Sequence, residues 1–75
     1  MNERYLILNK KLGYFQGVDC DKNEPIFSFD VFIDDSAVLF RTEIDAHNRL
    51  SNMVSELKNT KGVYVVEKMI FVSML

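Results

Sequence analysis

One stretch limits the fold of this chain more than any other. Between Thr42 and Gly62, the residues Ala46, Leu50, Met53, Val54 and Leu57 recur at helical spacing and define one apolar stripe. Asn48, Ser51, Asn52 and Ser55 lie opposite. Thr42 and Asp45 form a T-x-x-D pattern resembling a capping box, and Glu43 and Asp45 put negative charge in the first turn, where the helix dipole favours it. Lys58 and Lys61 fall near the far end, and Gly62 is the expected stop. The spacing predicts a helix over residues 43–58. A lone amphipathic helix buries its stripe against a sheet face.

The rest of the chain reads as the strands of that sheet. Tyr5-Leu6-Ile7-Leu8 is apolar and β-prone, and Asn9-Lys10-Lys11 breaks it. Residues 13–18 form a second strand carrying Gly13 and Gly17, and glycine inside a strand marks a bulge or a close backbone approach. Short loops favour a hairpin between these two. Turn-forming residues crowd positions 19–25, and Pro25 suits the first position of an edge strand. Residues 26–33, rich in Phe, Ile and Val, predict a third strand. Residues 37–41 predict a short fourth strand after a turn at Asp34-Asp35-Ser36. Residues 63–72 predict a long final one, with Glu67 and Lys68 interrupting its two apolar faces. The expected fold is α+β: a three- to five-stranded, mainly antiparallel sheet with one helix packed on one face, in the order β-β-β-(β)-α-β. With 75 residues, the chain reads as a single domain over 1–75.

Several chemistries are poorly served. A chain of this size buries only about 60% of the surface its unfolded state exposes, which leaves little scaffold for a deep cleft. His47 is the one side chain whose ordinary pKa lies near neutrality, and its place on the flank of the helical stripe reads as surface. The single Cys20 excludes an internal disulfide, and its acidic neighbours raise a thiol's pKa and dull it. Asp19, Asp21 and Asn23 open like a calcium loop, with Asp30 at the twelfth position. Glu24 stands at the sixth position, where such loops need glycine, so a solvated acidic turn is expected instead. The expectation is therefore no catalytic residues, no metal and no cofactor. No run approaches the roughly 18 apolar residues of a membrane span, and no export signal is visible. The cytoplasm is the expected location.

Charge is distributed unevenly. Residues 19–35 hold six acids (Asp19, Asp21, Glu24, Asp30, Asp34 and Asp35) against Lys22, a balance of −5. The remaining residues carry eight bases and five acids, +3, and the two parts give the net −2. These six acids are the candidate partner-binding residues, since an acidic surface steers association with a basic one. The mild overall acidity argues against direct nucleic-acid binding.

Tyr5-Leu6-Ile7-Leu8-Asn9, Gly13-Tyr14-Phe15-Gln16-Gly17, Ala37-Val38-Leu39-Phe40, an early helical Ala46 and Val63-Tyr64-Val65-Val66 together resemble the small accessory proteins of tailed bacteriophages. The chain departs from that pattern in its acidic segment, and no functional residue carries over. The resemblance implies a non-enzymatic inhibitor of a bacterial defence system or host enzyme, of the anti-CRISPR or antitoxin kind. The partner would be a protein or protein–nucleic acid complex in the bacterial host cytoplasm. Two other readings remain open. The long final strand suits edge pairing into a homodimer. Tyr14 and Phe15, beside Lys10 and Lys11, suit a single-strand nucleic-acid binder, although packing is the plainer role for those rings.

Overall fold

A computed structural model of the chain describes residues 2–30 and 37–71. Its elements are β1 (Asn2–Asn9), β2 (Gly13–Asp19), β3 (Glu24–Ser28), α1 (Glu43–Glu56) and β4 (Tyr64–Phe71). The strands form one antiparallel sheet in the order β3-β2-β1-β4, and α1 packs on one face of it. This is the expected α+β architecture.

The helix begins as its sequence dictates. Thr42 is the N-cap, and its Oγ1 accepts a hydrogen bond from the Asp45 N–H at 3.1 Å. Ala46 and Met53 are buried, and Leu50 and Leu57 pack beside them against Ile7 of β1 and Phe15 of β2. Truncating a buried side chain such as Met53 to alanine costs about 2–5 kcal/mol. Val54, one residue round the helix from Met53, sits at the rim of the stripe and is exposed. The helix ends at Glu56, with Leu57 as C-cap and no base in its last turn, so neither Lys58 nor Gly62 takes the expected role. Gly62 is needed for another reason. A Cβ there would lie 2.6 Å from the side-chain amide of Asn9, which is wholly buried. Asn9 Oδ1 accepts from the Lys11 and Leu12 N–H groups, so this one side chain closes the turn after β1 and seats the loop that leads into β4.

β1 and β2 pair only at Leu8–Tyr14 and Asn9–Gly13 before they part. The gap is filled by the segment expected as a fourth strand. Tyr5 exchanges both backbone hydrogen bonds with Phe40 (2.8 and 2.9 Å), and the Val38 N–H donates to the Phe15 carbonyl. That segment is a single bridge rather than a strand, because two neighbours share its few backbone groups. β3 is also shorter than expected, ending at Ser28. Residues 31–33, the rest of the expected strand, lie outside the described residues. The reason for the β3 register is Gly13, at φ +113°: a Cβ there would fall 2.2 Å from the Ser28 carbonyl carbon. A bulge between Phe15 and Gly17 adds twist. The Phe27 and Tyr64 rings, from the two edge strands, meet with centroids 6.0 Å apart, so the sheet curls round its helix-side core.

Candidate functional site

Among the described residues, the acidic candidates are divided between the two ends of β3. Asp19, Asp21 and Glu24 belong to the β2–β3 turn, and much of their geometry is structural. Asp19 Oδ1 accepts from the Asp21 N–H at 3.1 Å, which folds the turn. Asn23 takes a left-handed conformation, φ 57°, and its side-chain amide donates to the Glu56 carbonyl at the end of α1. The Asn23 carbonyl accepts from the Lys58 N–H, and Glu24 accepts from the Asn59 side chain. The turn is therefore a latch on the helix C-terminus. Asp30 lies two residues past the opposite end of β3, which spans about 13 Å from Glu24 to Ser28. It is exposed, and its N–H bonds the Ser28 hydroxyl. Asp34 and Asp35 lie outside the described residues.

Residues with nucleophilic or proton-transfer chemistry are likewise apart. His47 is exposed, 3.5 Å from Glu43 on the same helix face. Cys20 is exposed in the turn that docks through Asn23 on Glu56, and Glu56 lies roughly 13 Å along the helix from His47. Among the described residues, no group of three or more His, Cys, Asp and Glu is placed to hold a metal ion. No helix among them is long and apolar enough to cross a membrane. Phe15 is 1% exposed and sits inside the core, out of reach of a nucleobase.

The most distinctive polar contact crosses the sheet face opposite α1. Alternation along β1 puts Ile7 toward the helix and Leu6 and Leu8 on the other side. Tyr14 and Glu67 share that far face and join across β1, the Tyr14 hydroxyl donating to Glu67 Oε1 at 2.5 Å. The hydrogen bond to Glu67, burial and the carboxylate's charge all raise the Tyr14 pKa above its ordinary value. On the helix side, Lys68 pairs with Glu3 at 3.0 Å, and that contact raises the Lys68 pKa. Both charges at the centre of β4 are thus held from other strands, Lys68 by Glu3 of β1 and Glu67 by Tyr14 of β2.

The final strand, expected to suit edge pairing, is β4, and it lies at the outer edge of the sheet. Met69 and Ile70, on opposite faces of β4, are 37% and 48% exposed, and Val63 just before the strand is 63% exposed. The signal was visible in residues 63–72, whose apolar run continues on both faces where a half-solvated strand would alternate.

No family model, curated protein or solved structure matches the chain.

Proposed function

We propose that the chain is a small non-enzymatic protein-binding module that blocks or adapts a bacterial protein or protein–nucleic acid complex, of the kind tailed bacteriophages direct against host defences or host enzymes. The observation that carries the binding part of this reading is β4: a regular outermost strand with exposed apolar side chains at Met69 and Ile70, and with exposed Val63 just before it. A monomer gains nothing by leaving that area in water, whereas a partner that covers it recovers about 25 cal/mol per Å². The phage setting is inferred from the sequence resemblance. The uneven charge supplies steering, with Asp21 and Asp30 exposed on the acidic stretch.

The test is capture from bacterial lysate with the tagged chain, followed by mass spectrometry and an activity assay of the captured protein. One stoichiometric partner whose activity falls on binding is expected. Recovery of nothing beyond what an unrelated acidic protein of equal size recovers overturns the reading. Charge reversal at Asp21, Asp34 and Asp35 together should slow capture at low salt and matter little at high salt.

A further inference from the structure

The outer edge of β4 has a defined hydrogen-bonding row. Tyr5 spends its N–H and C=O on Phe40, and the Lys10 N–H donates to the Val63 carbonyl. With Tyr5 opposite Lys68, that alternation turns the N–H and C=O groups of Tyr64, Val66, Lys68 and Ile70 away from β1. Among the described residues, none bonds to them. β4 contains no proline, glycine or bulge that would blunt such an edge.

A second copy fits this edge badly. Two β4 strands related by a two-fold axis pair antiparallel, and residues opposite one another must come from the same sheet face. Same-face pairing allows only registers centred on a single residue. The two that pair all but one residue of β4 are centred on Glu67, which sets it against its own copy, and on Lys68, which does the same. Like charges directly opposite each other are destabilising. The complementary arrangement, Glu67 against Lys68, needs the two copies to present opposite faces, which two-fold symmetry forbids.

We propose that β4 binds an extended segment of a different protein by antiparallel strand addition, with an acidic residue opposite Lys68, a basic residue opposite Glu67, and apolar residues on either side. This names the contact surface within the binding reading above and rests on it. Main-chain bonds to Val66, Lys68 and Ile70 hold the segment, and the charge pair sets its register.

The test uses two synthetic peptides flanked by glycine and serine. One reads Ile-Val-Asp-Arg-Val-Ile and the other has Asp and Arg exchanged. Binding is followed by fluorescence anisotropy and by backbone amide shifts. The first peptide should bind about tenfold more tightly than the second, because two cross-strand pairs change from attractive to repulsive. Shifts should centre on Val66, Lys68 and Ile70, and Lys68→Glu should erase the preference. Equal affinities overturn the proposal, as do shifts centred on the Asp19–Glu24 turn or a wild-type dimer with protected Lys68 amides. Lysate capture with Lys68→Glu separates the two levels. Undiminished capture overturns the edge assignment and leaves the binding reading standing.

Discussion

The two outermost strands of the sheet are built to opposite specifications. β3 is five residues long, carries Pro25, and is bent by the bulge in its neighbour. Its start is also tied to the helix end through Asn23 and through Glu24 with Asn59. β4 has eight residues in unbroken register with β1 and none of these devices. Exposed strand edges invite pairing with other chains, and natural sheets suppress them. β3 follows that rule through its geometry, whereas β4 has only the central charges Glu67 and Lys68 to discourage pairing. Protection is thus local, and the geometrically open edge, selective only through its charges, is where association is to be sought.

The comparison breaks first at Gly13, which lets β3 approach. Gly13→Ala puts a methyl into the Ser28 backbone at a φ of +113°, and a loss of about 3 kcal/mol in urea unfolding is expected. Unchanged stability would mean that β3 is not held there. Asn9→Ala attacks the β4 side. It strands the Lys11 and Leu12 N–H groups and should cost about 2 kcal/mol by the same measurement. Hydrogen exchange sharpens the contrast without a mutation. Along β4 the amides of Val65, Glu67 and Met69 should exchange about tenfold or more slowly than those of Val66, Lys68 and Ile70. Uniform protection along β4 would show that its edge is occupied in the free protein.

The smallest effect concerns Tyr14. Its pKa is raised in the folded chain, so the folded state holds its proton more tightly than the unfolded state does. The resulting stabilisation is complete below the ordinary tyrosine pKa of about 10 and declines as pH rises above it. Tyr14→Phe should remove part of the stability at neutral pH and flatten the fall above pH ~10, as read by thermal melts across pH. Parallel curves for the two proteins would show that the Glu67 contact does not bias the titration.

The local features of this fold were plain in the sequence and the non-local ones were not. Thr42 and Asp45 announced the helix start because capping is written within one turn of chain. Pro25 and the glycines of β2 marked an edge, a bulge and a close approach for equally local reasons. Gly62 misled, since its conformation serves the buried Asn9 far back in the chain rather than the helix. The acids at Asp19 and Glu24 looked like a free charged surface. Asn23 and Asn59 turned their loop into a latch, and only the folded position of Glu56 reveals it. The bridge at Phe40 was equally hidden, because β1 and β2 have to part before it fits.

That parting has a consequence for how the chain acquires its structure during synthesis. The first two strands leave the ribosome early, yet they zip together at only two residue pairs. Among the described residues, the remaining partners of β1 are Phe40 and the whole of β4, both far along the chain from it. An emerging chain thus holds an apolar β1 without its longest partner until Phe71 is made, and long-range closure of this kind slows folding. Closure of the sheet is therefore a late event in synthesis, and until then the open side of β1 is available to other chains.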